Sequence, residues 1–128
     1  MNNIETIFNN TCSPAEYTSA YLTHLTQIFS RLDHSAIEKF IELLLDARNE
    51  RKRIYFIGNG GSAATASHFA NDLAVGTRSK NLPFSVMSLT DNTPIITAIG
   101  NDYGYDQVFV KQLESYFKTG DILVAISA

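Results

Sequence analysis

The stretch Arg53-Ile54-Tyr55-Phe56-Ile57-Gly58-Asn59-Gly60-Gly61-Ser62-Ala63-Ala64-Thr65 passes from an apolar, strand-like run through a glycine-rich turn into a helix-like segment. A turn of this kind presents free backbone N–H groups and the positive end of a helix dipole, so it favours a phosphate or another anion. Asn59, Gly60, Gly61 and Ser62 are therefore the first candidate ligand-binding residues, and a phosphorylated small molecule is the expected ligand. Two structural roles compete with this reading. Ser62 has the chemistry of a helix N-cap, and adjacent glycines also serve to supply positive φ in a tight turn.

Downstream the pattern alternates. Residues 53–57 read as a strand, 62–75 as a helix, 83–89 as a second strand, 105–117 as a helix and 121–126 as a third strand, with a short extra helix over 93–99. Alternation of this kind predicts a parallel, helix-covered α/β sheet. Upstream, 13–31 and 35–49 read as two leading helices. Ser13, Pro14 and Glu16 supply the start of the first. The apolar face of the second is Ile37, Phe40, Ile41, Leu44 and Leu45. Leu22, Phe29 and Leu43 lie outside these stripes, which fits packing on a partner subunit and equally fits an ordinary helical layer. Tyr17, Tyr21, Phe29 and Phe40 read as core or interface, with no cofactor role.

With 128 residues, 45% of them hydrophobic, the chain has the size of one domain with a real core. Its net charge of −3 and scattered cations argue against a direct nucleic-acid ligand. Arg48 to Arg53 reads as a solvated helix end. One cysteine, Cys12, excludes an internal disulfide and fits a reducing, cytoplasmic setting. Neither a signal peptide nor an apolar run of membrane-spanning length is readable.

Within the helix after the glycine turn, His68 and Asp72 stand at i and i+4, on one helical face. Such a pair suits metal binding or proton transfer beside a phosphate; a surface histidine and a solvated carboxylate are the plainer alternatives. Asn101-Asp102-Tyr103-Gly104 follows the second strand and reads as a turn or as a binding loop on the ligand side of the sheet. Gly58, Gly60 and Ala63 also fit G-x-G-x-x-A, the dinucleotide fingerprint. That fold wants an acid about 20 residues on, whereas Asp91 lies 33 residues after Gly58.

Taken together, Gly58 to Ser62, His68-Phe69-Ala70, Asp72-Leu73, Gly100 to Gly104 and Gly120 to Ser127 resemble the sugar isomerase (SIS) domain family, and within it the phosphoheptose isomerases. The resemblance covers the whole chain in order. It implies an α/β, doubly wound parallel sheet of the SIS fold with two leading helices, 13–51 preceding the α/β part at 53–128. It also implies a homotetramer and zinc-assisted aldose–ketose isomerisation, taking sedoheptulose 7-phosphate to D-glycero-D-manno-heptose 7-phosphate in lipopolysaccharide or capsule heptose synthesis. On this likeness Asn59 to Ser62 line the substrate, Asn101 and Asp102 reach the sugar, and Ser127 begins a phosphate loop. His68 and Asp72 fall on the family's metal-binding and catalytic histidine and glutamate, and Arg78, which could reach a phosphate, lies near an arginine of the family in a different register. Asp72 is one methylene shorter than that glutamate, and the family's further metal ligands, a glutamine and a histidine, have no counterpart here. Zinc takes four ligands, or three and water, so this chain alone is expected to bind metal weakly; with the third strand finishing at Ser127-Ala128, where an open α/β sheet binds its ligand, it is expected to be the N-terminal part of a longer protein. The alternative is a non-catalytic SIS module that binds a phosphosugar as a regulator or assembly unit.

Overall fold

A computed structural model describes residues 3–77 and 82–127. The chain divides into two compact units, Met1–Lys39 and Phe40–Ala128, and the division falls inside a helix.

The first unit begins with a short helix that the sequence reading leaves out, α1 (Asn3–Asn9), followed by α2 (Pro14–Phe29). Ser13 Oγ accepts from the Glu16 N–H at 3.2 Å, and the Glu16 carboxylate accepts from the Cys12 N–H at 2.7 Å. This reciprocal arrangement is a capping box shifted by one residue, and with Pro14 in the first turn it sets where α2 starts. Phe8 of α1 meets Tyr17 edge-on, and Tyr17 stacks on Tyr21, with ring centroids 6.0 Å apart in each pair. The third helix, α3 (His34–Asn49), starts a residue before the expected Ser35. Asp33 Oδ1 accepts from the Ser35 hydroxyl and from the Ser35 and Ala36 N–H groups, which also holds its carboxyl below the ordinary value of 3.8.

The second unit is a three-stranded parallel sheet. Its strands are β1 (Arg53–Gly58), β2 (Ser85–Ser88) and β3 (Ile122–Ile126), in the order β2-β1-β3. The chain therefore starts centrally, steps to one side and then crosses to the other; connections between parallel strands are right-handed as a rule, which places successive helices on opposite faces when the direction reverses. Ile54 and Phe56, with Val86 on β2 and Ile122, Val124 and Ile126 on β3, form one face. Against it pack Phe40, Leu44 and Ala47 of α3 and Ala66 and Ala70 of α4 (Gly61–Asn71). On the other face, Tyr55 donates its hydroxyl to the Tyr116 carbonyl at 3.0 Å and packs on Phe117, at the end of α6 (Val110–Tyr116). Ile54, Tyr55 and Phe56 are fully buried, each contributing about 1.5–3 kcal/mol of hydrophobic stabilisation. The doubly wound arrangement expected from the family likeness is thus present.

Several boundaries move. The expected helix over 62–75 is α4 followed by a π turn, Asp72–Gly76, in which the Thr77 N–H bonds the Asp72 carbonyl. The helix expected over 105–117 is a 3₁₀ turn, Tyr105–Gln107, and then α6. The short extra helix extends to Asp102 as α5 (Thr93–Asp102), with Asn92 Oδ1 capping the Ile95 N–H. Of the face expected on α3, Ile37 and Ile41 are exposed, while Ala47, too small to stand out in an apolar pattern, is buried.

Gly58 ends the central strand where α4 crosses it. A Cβ at this position would stand 2.6 Å from the Ser62 carbonyl oxygen, a backbone atom that cannot swing away. Gly58→Ala is expected to destabilise the protein by about 3 kcal/mol, measured as a lowered urea midpoint. Asp33 ionises more readily folded than unfolded, so its stabilisation is complete above the unfolded pKa and is lost as pH falls through the lowered folded value. Its carboxyl titration, followed by NMR, is expected to have a midpoint below 3.8.

Candidate functional site

The turn after β1 is built from backbone. Gly60 holds φ 56° and ψ −123°, a region closed to residues with a side chain, and from there the chain enters α4 directly. The N–H groups of Ser62, Ala63 and Ala64 turn back to the Asn59 and Gly60 carbonyls. Those of Gly60 and Gly61 take no partner among the described residues, and with the helix dipole behind them they favour an anion. Ser62 is the second helical residue, and Gly60, which has no side chain, occupies the cap position. The N-cap role considered for Ser62 is therefore corrected, and its hydroxyl is not committed to capping.

At the carboxyl edge of the sheet this turn opens into a cleft of about 940 Å³, lined among others by Asn59, Gly61, Ser62, Thr65, Phe109 and Ser127. It lies between the ends of β1 and β3, the strands across which the order reverses, where open α/β sheets bind ligands. The structure thus brings Asn59, Gly61, Ser62 and Ser127 to one cavity although 65 positions separate Ser62 from Ser127. Gly60 lines a smaller cavity of about 90 Å³ behind the turn, shared with Asn59, Tyr105 and Phe109.

His68 and Asp72 stand outside the main cleft. Together with Ala64, Thr65 and Phe69 they line a shallower depression of about 340 Å³, and Thr65 borders both cavities. His68 Nε2 lies 3.2 Å from Asp72 Oδ2, with the side chains 78% and 59% exposed. An exposed pair of this kind adds little stability, so its value must be sought in what it can bind. Two ligands on a tetrahedral zinc, each about 2.0–2.1 Å from the ion, stand about 3.3–3.4 Å apart, close to the observed spacing. The pair therefore fits one edge of a zinc site. No group of three or more histidine, cysteine or acidic residues suited to a metal occurs among the described residues.

Asn101 and Asp102 are placed differently from a binding loop. Both lie in the last turn of α5, exposed, with Asn101 Nδ2 donating to Asp102 Oδ1 at 2.8 Å, and neither borders the cleft. Arg78 falls outside the described residues. Asp91 Oδ1 accepts a hydrogen bond from the Ser67 hydroxyl and another from Thr90 Oγ1, which ties it to α4. Thr65, Tyr105 and Phe109 were missed by sequence reasoning. A threonine inside a helix and aromatics after Gly104 carry no local signal of a ligand wall.

Comparison with known proteins agrees with this geometry. The SIS domain family profile matches residues 16–128. The chain is 44% identical over 92 residues to the phosphoheptose isomerase of Campylobacter concisus, covering 72% of this chain and 49% of that protein. To the phosphoheptose isomerase of Akkermansia muciniphila it is 40% identical over 116 residues, 88% of this chain and 61% of that protein. Among solved structures it is similar to phosphoheptose isomerase GmhA from Neisseria gonorrhoeae, with TM-score 0.76 and 34% identity, covering 91% of this chain and 61% of that one. A phosphoheptose isomerase from Francisella tularensis aligns with TM-score 0.78 and 25% identity, covering 100% of this chain and 63% of that one. The chain spans about half the length of several of the curated relatives it matches.

Gly61 separates binding from folding. A Cβ there meets nothing within 4 Å, so Gly61→Ala leaves the fold intact while placing a methyl group in the cleft. The variant is expected to keep its melting temperature and to bind inorganic phosphate at least about tenfold more weakly, as followed by amide shifts of residues 59–62.

Proposed function

The chain belongs to the SIS domain family, and on that premise we propose that it is the phosphate-binding half of an aldose–ketose isomerase acting on a phosphorylated heptose, sedoheptulose 7-phosphate. The observation that carries this reading is the cleft at the sheet's carboxyl edge, which is lined by Gly61, with its unpaired N–H group, and by the hydroxyl-bearing residues Ser62, Thr65 and Ser127. A phosphate needs donors of this kind and no buried cation. The names of the relatives reported above, each a phosphoheptose isomerase, support the choice of sugar.

Isomerisation moves a proton between neighbouring carbons through an enediol, with a base to remove it and an acid to return it. Asp72 is the proposed base, and His68, one turn before it with Nε2 3.2 Å from Asp72 Oδ2, is the proposed acid or metal ligand, the two roles replacing that mutual contact. In this reading a ligand seated by its phosphate in the cleft runs past Thr65 toward that pair, because Thr65 borders both cavities. Asn101 and Asp102 are proposed to meet the sugar only if the end of α5 adjusts on binding. We further propose zinc as the cofactor, with His68 Nε2 and Asp72 Oδ2 supplying two ligands; polarisation of the sugar carbonyl is the chemistry a bound zinc offers. The remaining ligands are assigned outside the described residues. A homotetramer, which would cover exposed Leu22, Phe29 and Leu43, and a cytoplasmic location, consistent with the single free Cys12, complete the proposal. None of the described helices is long and apolar enough to cross a membrane.

A second reading, a phosphosugar-binding module without turnover, is favoured by one feature: Asp72 has a short side chain and the described residues offer only a two-donor metal edge. Turnover of sedoheptulose 7-phosphate by the protein as its complete gene encodes it decides between the two. With zinc, Asp72→Asn is expected to lower kcat at least about 100-fold while leaving phosphosugar affinity within about threefold, and Asp72→Glu to retain activity. Binding of the phosphosugar by the unmutated protein with no turnover, with or without zinc, selects the second reading.

A further inference from the structure

We infer that Tyr105 is a positioning residue for the phosphosugar cleft, acting through Asn59; this rests on the proposed function of that cleft. Among the described residues, Asn59 is the one polar side chain that borders both the large cleft and the small cavity behind the glycine turn. Tyr105 borders only the small cavity, so it stands on the far side of Asn59 from the ligand. Its hydroxyl donates to Asn59 Oδ1 at 2.8 Å. A primary amide has an accepting and a donating end, and engaging the oxygen from behind turns Nδ2, with its two donors, toward the cleft. Without that bond the amide is free to flip and present an oxygen to an anionic or hydroxylated ligand.

The backbone on both sides is set to make this contact. The Asn59 carbonyl accepts from the Ser62 and Ala63 N–H groups, which fixes the turn that carries the amide. Tyr105 follows Gly104, whose φ of 99° directs the chain out of α5, and a Cβ there would lie 2.9 Å from Asp106 Oδ1. Behind them Gln112, buried, donates to the Leu89 and Val108 carbonyls at 3.0 and 2.8 Å and pins the segment that follows Tyr105 to the end of β2. Tyr105 itself is 64% exposed, so its ring is not retained by core packing, and the hydroxyl contact is the interaction its position accounts for.

The test is a double-mutant cycle read as affinity for sedoheptulose 7-phosphate, with the Asn59 side-chain amide followed by 15N NMR in the same samples. Tyr105→Phe keeps the ring and removes only the hydroxyl; it is expected to weaken binding about 3- to 10-fold with an unchanged melting temperature. In an Asn59→Ala background the same substitution is expected to change nothing. An equal loss in both backgrounds, or no loss in the first, overturns the inference. If the unmutated protein binds no phosphosugar, the proposed function fails, and the amide signal judges the positioning by itself. A drop in the Asn59 amide order parameter in Tyr105→Phe upholds the contact, and an unchanged value overturns it.

Discussion

The close approach of helix α4 to the end of strand β1 is the constraint on which the remaining structure depends. Gly58 leaves no room for a Cβ beneath the Ser62 carbonyl, and Gly60 takes a backbone conformation reserved for glycine. Between them the chain reverses direction within three residues. This allows Ala66 and Ala70 to lie against Ile54 and Phe56, with small side chains on the helix and large ones on the strand. It also leaves the first N–H groups of the helix pointing away from the core at the sheet's carboxyl edge. Packing and anion affinity are two consequences of one turn.

The sheet order converts that turn into a cleft. Because β1 is central and β2 and β3 lie on opposite sides of it, the strand order reverses between β1 and β3, and the cleft lies at the carboxyl ends of these two strands. The far wall comes from Phe109, held by the segment that Gln112 ties to β2. Hydroxyls near this edge are used structurally as well: Ser67 and Ser88 each bond Thr90, and Ser67 and Thr90 bond Asp91, which fixes the end of β2 against α4. The polar groups left for a ligand are those of the glycine turn, Asn59, Ser62, Thr65 and Ser127.

The helical pair His68 and Asp72 occupies a neighbouring depression, and α4 changes character just there. It passes into a π turn at Asp72, whose carbonyl takes the Thr77 N–H. Such widened turns are frequent at functional sites because they displace side chains from regular helical spacing. The i, i+4 relation of His68 to Asp72 survives, since it lies before the widening, whereas the residues after it leave the regular helical stripe.

The sequence by itself determined what depends on near neighbours. These are the order of strands and helices from α2 onward, the capped start of α2, the anion-favouring turn and the shared face of His68 and Asp72, each written in residues close together in the chain. The family likeness extended this to the doubly wound sheet. Only the tertiary structure decided which of those residues meet. It brought Ser127 to Ser62, placed Asn101 and Asp102 on a helix end away from the cleft, and set Tyr105 against Asn59 across 46 positions and Tyr55 against Tyr116 across 61. The physical reason is that a hydrogen bond between distant segments leaves no periodic or local trace. Its partners are ordinary tyrosines and asparagines until strand register and crossover direction carry them to within 3 Å of each other.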